Sequence, residues 1–382
     1  MQRAYFDHNA TTPIAPEVLE TMVSCLDQTF GNASSIHHFG QAAKQRLEAA
    51  RRQLASLIGA RAPEVVFTSG GTEADNMAVL GVVRAAGPRH VITTAIEHPA
   101  VLAACAQLER EGAAVTRLRV DGAGVVDPDD VRLALRPDTA LVSVMHANNE
   151  LGTVQPIAEI ARIAREAGVP LHVDGVQALG KIPVDVDALG VDLYSMSGHK
   201  LYAPKGVGAL FVRKGARMAP LTFGGHHERD RRPGTENVPG IAGFGAAAEL
   251  AERETASDGE RLSGLRDRLE YSVLDRIAGT GVNGEGAPRT PNTTNLYFDG
   301  IDGEALVIAL DLRGFAVSTG SACSSGAITP SHVLTAIGLS AERARASIRF
   351  SLGRSNTAAQ VDALAGALEA SVAHLRRISV HA

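Results

Sequence analysis

Between residues 64 and 212 the apolar positions follow two alternating patterns. Short, β-branched runs recur at 64–68, 90–96, 114–120, 141–146, 170–173, 191–196 and 208–212. Most are separated by stretches with apolar residues at helical spacing, such as 100–111 and 157–167. Near-continuous apolar runs predict strands buried on both faces, and strand–helix alternation joins neighbouring strands in parallel. The pattern therefore predicts an α/β fold, a mainly parallel seven-stranded sheet with helices on both faces.

Outside that block the texture changes. The N-terminal part reads as a short strand at 5–7, a turn through DHNATTP, and helices at 16–26 and 41–58. From residue 221 glycine and charge dominate, in GGHHERDRRPGTENVPG, before a long helical stretch at 241–278. Residues 279–290 read as a loop, followed by strands at 294–298, 315–318 and 346–351 and helices at 303–312 and 357–376. The expected division is a large domain of residues 15–250 and a smaller α+β domain made of residues 1–14 and 251–382.

In parallel sheets ligands bind beyond the carboxyl ends of the strands, so the residues after each run are the candidates for chemistry. After the first run comes Thr68-Ser-Gly-Gly-Thr-Glu, where Gly71 opens a helix. A glycine-rich turn into a helix presents unpaired N–H groups to an anion, and Thr72 adds a hydroxyl. His98 follows the second run, just before Pro99, and can stack on a ring or carry protons. Asn148, Asn149 and Glu150 follow the fourth, Asp174 and Gln177 the fifth, and Ser197-Gly-His-Lys the sixth. Taken singly, each fits ordinary capping or turn chemistry. Their recurrence at successive strand ends favours a shared site.

Lys200 stands out by composition. Only five of the 37 basic residues are lysines. Arginine stays protonated and serves wherever charge alone is needed, so a lysine on a strand-end turn suggests amine chemistry, such as a Schiff base with a carbonyl cofactor; from this segment alone a plain surface lysine on a loop is the stronger alternative.

The chain has 382 residues and a net charge of −5, which argues against nucleic acid as the main partner. Its start, MQRAYFDHNATTP, lacks the apolar core of a signal peptide, and no apolar run approaches the ~18 residues of a membrane helix, so the expected location is the cytoplasm. Three cysteines form neither a disulfide framework nor a CxxC site. Cys25 falls within a helix, whereas Cys323 sits among serines and glycines at 318–326, the composition of a mobile, solvated loop with an accessible thiol. His226 and His227 are adjacent, without helical ligand spacing or a cysteine companion, and no resident metal site is expected.

Six segments acquire a joint meaning: SerGlyHisLys at 197–200, GluHisPro at 97–99, AspGlyValGln at 174–177, ThrSerGlyGlyThrGlu at 68–73, ArgProGlyThrGluAsn at 232–237 and GlySerAlaCysSerSer at 320–325. Together they resemble the cysteine desulfurases of the NifS/IscS type, pyridoxal phosphate (PLP) enzymes of the class V aminotransferase family. The resemblance runs from residues 7–13 to 348–354, nearly the whole chain. It implies the PLP-dependent transferase fold, with Lys200 carrying PLP, Asp174 at the pyridine nitrogen, Gln177 by the ring hydroxyl and His98 over the ring face. Gly71, Thr72, Ser197 and His199 would surround the phosphate, and Asn149 and Arg349 would bind the substrate, Asn149 also touching the cofactor. Thr235 would reach the phosphate of the neighbouring subunit, making the active unit a homodimer. Residue type alone does not choose Arg349 over Arg343, Arg345 or Arg354.

The implied reaction takes sulfur from L-cysteine. Lys200 removes the α-proton, the Cys323 thiolate attacks the substrate sulfur, and His98 carries the proton at sulfur. The products are L-alanine and a persulfide on Cys323, passed to an acceptor such as an iron–sulfur scaffold protein, with a cluster or persulfide held only transiently at Cys323. Two departures matter: residue 226 is His where the family tends to have glycine, and the chain stops at Ala382 without the longer tail some members use for docking. Alternatives at this point are a selenocysteine lyase or aminotransferase of the same family, and a non-catalytic sulfur carrier or scaffold.

Overall fold

A computed structural model of the chain describes residues 3–87, 89–319 and 330–379. Cys323 lies outside the described residues.

All seven runs are strands of one sheet. Their spatial order is Val65–Thr68, Gly208–Val212, Leu193–Ser197, Leu171–Asp174, Thr139–Met145, His90–Thr94 and Val115–Leu118. Gly208–Val212 runs antiparallel to both neighbours, and every other pairing is parallel. The side-chain period of two explains why the runs are apolar throughout. Val65 and Phe67 enter the core on one face and Val66 the core on the other, and Ile92 and Val91 divide the same way. On the first face lie the helices His38–Leu57 and Ile157–Glu166 and the start of Val238–Arg276; on the second lie Gly71–Ala86 and Pro99–Arg110. Only the edge strand Val115–Leu118 is mostly outside these cores.

A second hydrophobic core forms around the antiparallel sheet Ser347–Ser351, Thr293–Phe298 and Thr280–Val282. Leu296, Phe298, Ile348 and Phe350 pack there against Leu364 and Leu368 of Ala358–Ser379 and Leu269 and Val273 of Val238–Arg276. The long helix thus contributes to both cores. The N-terminus joins the second one, through Phe6 and the parallel pairing of Ala4–Tyr5 with Phe315–Ala316.

One expectation is corrected. Residues 279–290 read as a loop, yet Thr280–Val282 is an edge strand paired with Leu296, Tyr297 and Phe298. The glycine that suggests a loop is what the pairing needs, since a Cβ at Gly281 would lie 2.5 Å from the Tyr297 hydroxyl. No helix among the described residues is long and apolar enough to cross a membrane.

Candidate active site

The candidate strand ends converge on one cavity of about 370 Å³. It lies where the sheet order turns. From His90–Thr94 the chain adds Val115–Leu118 on one side and then Thr139–Met145 on the other, the switch point at which α/β sheets hold ligands. Gly71, Thr72, His98, Asn149 and Asp174 line it, as do Gln177, Ser197, His199, Lys200 and Arg349. Thr235 is exposed and not on this wall.

Lys200 follows the fully buried strand Leu193–Ser197 through a single 3-10 turn, Gly198–Lys200. Its amine donates to the main-chain oxygens of Asn9 (2.5 Å) and Ala10 (2.6 Å), so the N-terminal segment holds it in place. Asp174 is the last residue of its strand and 5% exposed, and its Oδ1 accepts from the Val176 N–H at 3.0 Å. Burial raises its pKa, while the nearby His98 and Lys200 pull it back.

His98 caps the helix Pro99–Arg110, its Nδ1 accepting from the Ala100 N–H at 3.1 Å. That bond leaves Nε2 as the atom that carries a proton in the neutral ring. Burial lowers the His98 pKa, against the pull of Asp174. The preceding Glu97 is fully buried, and burial pushes its pKa up to about 8. Its Oε1 accepts from Thr94 Oγ1 (2.7 Å) and the Met145 N–H (2.9 Å), which fixes the segment that carries His98.

The residues fit pyridoxal phosphate. No side chain caps the start of Gly71–Ala86, leaving N–H groups at a helix dipole's positive end for a phosphate. A Cβ at Gly71 would lie 2.9 Å from Val176 Cγ2, so only glycine keeps that cradle open. A strand-end lysine suits the aldehyde, and a buried carboxyl suits a ring nitrogen that must hold its proton.

Several wall residues carried no role in the sequence. Asn9 accepts from Lys200, Lys181 (2.8 Å), Gln177 (3.0 Å) and Asn292 (3.1 Å), and donates to Thr293 Oγ1 (2.9 Å) and the Asn149 main-chain oxygen (3.1 Å). No local pattern signals such a hub, because its partners come from distant segments. Asp75 is 1% exposed, 3.6 Å from His172 Nε2, and burial together with the Asp174 charge holds its pKa well above the usual carboxylate range. Here a signal existed, since Asp75 shares a helical stripe with the buried Ala78, Val79 and Val82.

The segment after residue 221 has its own anchor. Glu228, Arg229 and Asp230 adopt left-handed backbone, with φ of 46°, 58° and 64°. A buried two-pronged ion pair from Arg51 to Glu228, with both bonds at 2.7 Å, holds the turn, and the Phe67 N–H donates to the same carboxylate at 2.9 Å. His226, where glycine was expected, pairs with Asp230 at 2.5 Å on the exposed side.

Fold and site define a coenzyme-dependent transferase, with a strand-end lysine and a strand-end aspartate in one cavity closed by an anion cup. The chain belongs to the class V aminotransferase family, whose model matches residues 4–364. It is 50% identical over 380 residues to the protein named cysteine desulfurase IscS of Dictyoglomus turgidum, covering 99% of this chain and 96% of that one. Among solved structures it matches a NifS-like protein with a TM-score of 0.92 and 37% identity, over 98% of this chain and 100% of that one. It also matches SspA in complex with cysteine, with a TM-score of 0.82 and 36% identity over 91% of this chain and 98% of that one.

Proposed function

We infer that this protein is a cysteine desulfurase that uses pyridoxal phosphate to convert L-cysteine to L-alanine with transfer of the sulfur to its own Cys323. The observation that carries the reading is the single cavity in which Lys200, Asp174, His98 and Arg349 meet beside the uncapped helix start at Gly71. Such a cavity offers an amine, a ring-nitrogen partner, a proton carrier and a carboxylate-binding cation to one small amino acid.

Bound pyridoxal phosphate supplies an electron sink that weakens the bonds around the substrate's α-carbon. Arg349 orients the substrate carboxylate, with Asn149 beside it. Lys200 takes the α-proton, and Asp174 keeps the ring nitrogen protonated. The Cys323 thiolate attacks the substrate sulfur, so that a sulfur–sulfur bond forms as the carbon–sulfur bond breaks, and the electron pair left on carbon is protonated to give alanine. His98 Nε2 holds or moves the proton at the departing sulfur. Atoms balance: cysteine plus thiol becomes alanine plus persulfide.

The active unit is a homodimer to which Thr235 contributes across the interface. Supporting this is an apolar surface on the single chain: Val23 and Leu26 are 53% and 63% exposed, Ile36 is 93% exposed, and Phe30 stacks on Phe39 at 5.3 Å. The division into a large domain of 15–250 and a small one of 1–14 and 251–382 fits the two separate cores. The persulfide passes to an acceptor protein in the cytoplasm, an iron–sulfur scaffold by class.

The test is incubation with L-cysteine, measuring alanine and Cys323-bound sulfur in the same sample. Equal amounts in the first turnover are expected. Alanine without sulfur on Cys323, or mercaptopyruvate instead of alanine, would overturn the reading.

A further inference from the structure

Lys200 also lines a second, much smaller cavity of about 30 Å³, whose wall includes His8, Lys181, Asp258 and Arg354. Lys181 hangs on the same asparagine as Lys200. Its amine donates to Asn9 Oδ1 at 2.8 Å and to Gln177 Oε1, while the Lys200 amine donates to Asn9 O at 2.5 Å. Gln177, four residues before Lys181, is held from both ends, since its Nε2 donates to Asn9 O at 3.0 Å. Two amines and an amide thus converge on one residue.

Lys181 forms no ion pair among the described residues. Asp258, the carboxylate sharing its small cavity, is taken by Arg354 (2.8 Å) and Arg261 (3.3 Å), and Asp7 by Arg349 (2.6 Å). Burial, and then the charges of Lys200 and Arg349, hold the Lys181 amine well below its ordinary pKa.

We propose that Lys181 is a positioning residue for Lys200: it fixes the Asn9 and Gln177 anchors, and its charge sets the proton affinity of the Lys200 nitrogen. This rests on Lys200 being the lysine that carries the coenzyme. With the Lys200 nitrogen committed to the coenzyme's carbonyl carbon, Lys181 is the stronger base and keeps the proton. Its charge then makes the Lys200 nitrogen harder to protonate, as a cationic neighbour does to a Schiff-base lysine.

Other groups facing the pair do not take this part. Burial holds His8 and His199 down at about 4, and it lowers His98 too. Asp174 acts on Lys200 and Arg349 on Lys181, and both are the same in wild type and in any Lys181 variant, so differences between variants report Lys181 alone.

The experiment is a pH titration of the visible absorbance of the resting holoenzyme, without substrate, for wild type, Lys181→Met, Lys181→Gln and Lys181→Arg. Losing the charge in the Met and Gln variants raises the midpoint by about one pH unit or more, roughly a tenfold change in proton affinity. Lys181→Arg keeps the midpoint at or below the wild-type value. An unchanged midpoint in Lys181→Gln, which retains a hydrogen-bond donor, overturns the proposal, and it decides alone where Lys181→Met fails to fold. Failure of the site assignment shows separately: a borohydride-reducible coenzyme adduct that survives Lys200→Ala removes Lys200 from its role whatever Lys181 does.

Discussion

Arg349 and Asp7 are separated by 342 positions in the chain, yet Arg349 Nη2 donates to Asp7 Oδ1 at 2.6 Å. Nη1 donates to the Asn149 main-chain oxygen at 3.0 Å, and Nε is buried without a partner among the described residues. The strand Ser347–Ser351 delivers the guanidinium to the cavity, and the bridge between Asp7 and Ser351 brings the N-terminus to meet it. The alternatives are occupied elsewhere or outside: Arg343 pairs with Asp299, Arg354 with Asp258, and Arg345 is exposed. Of the four, Arg349 is the one on the cavity wall.

A hydrogen bond to a charged group contributes about 1.5–3 kcal/mol. Arg349→Ala is therefore expected to raise the KM for L-cysteine by about 10- to 100-fold while the coenzyme absorbance is retained. Lys at this position recovers only part, because it lacks the planar fork. Steady-state kinetics with a spectrum of each variant checks both statements, and an unchanged KM in Arg349→Ala would move the carboxylate site elsewhere.

The Arg51–Glu228 pair makes a prediction about stability. Both side chains are 3% exposed, and Glu228 sits in a left-handed backbone that a side chain does not favour. Removing one partner leaves a buried charge uncompensated, which costs about 3–5 kcal/mol. Glu228→Ala is expected to lower the urea midpoint accordingly, and Arg51→Ala with Glu228→Ala to lose less than the sum of the single losses, since the pair is lost once.

The sheet was legible because a buried parallel strand needs apolar residues on both faces, which no helix or loop of that length requires. That Lys200, Asp174 and His98 would line one cavity was legible because strand ends are where such sheets hold ligands. Asn9 was not, because its importance lies in partners such as Lys181 and Asn292, which are distant in the chain. Thr280–Val282 was missed for a related reason. Three residues with a central glycine carry no pattern of their own, and the strand is defined by its pairing with Leu296, Tyr297 and Phe298, where the Tyr297 ring lies across Gly281.

Glu97 predicts a pH dependence with a definite sign. Burial holds its pKa at about 8, above the ordinary 4.5, so between those values the folded state keeps a proton that the unfolded state has lost. Its contribution to stability is full below about 4.5 and declines as pH rises toward 8, by up to about 1.4 kcal/mol per pH unit. The buried His146 and His172, held at about 4 and about 3, act oppositely and lose stability as pH falls below 6.5. Glu97→Gln keeps the acceptor for Thr94 and Met145 but cannot titrate. Urea unfolding at several pH values between 5 and 8 should give a difference between wild type and Glu97→Gln that grows with pH in the variant's favour; a constant difference would mean Glu97 is ionised in the fold.

The proposed homodimer, if it forms through the helix Pro16–Gln28, has a direct test. Val23 and Leu26 lie on its exposed side, and a charge on each is easily hydrated in a monomer and costly in an apolar interface. Val23→Glu with Leu26→Glu is expected to halve the sedimentation mass and to weaken coenzyme retention, since Thr235 would no longer reach the neighbouring site. An unchanged mass places the interface elsewhere.

The last prediction concerns the thiol. Cys25 and Cys105 are fully buried, and burial raises both pKa values, that of Cys105 to about 12. At neutral pH both are protonated and shielded, so neither can act as the sulfur nucleophile, which must be a thiolate within reach of the substrate. Cys323 is the remaining cysteine of the three. Cys323→Ser is expected to keep the coenzyme absorbance and its perturbation by L-cysteine, because Lys200, Asp174 and Arg349 are untouched, and to lose alanine and sulfide formation to background. Cys105→Ser should retain both products. Unchanged turnover in Cys323→Ser would eliminate the persulfide route and return the protein to transamination, which needs no cysteine; a colourless Cys323→Ser protein would instead show that the residue's loss had disturbed the coenzyme site itself.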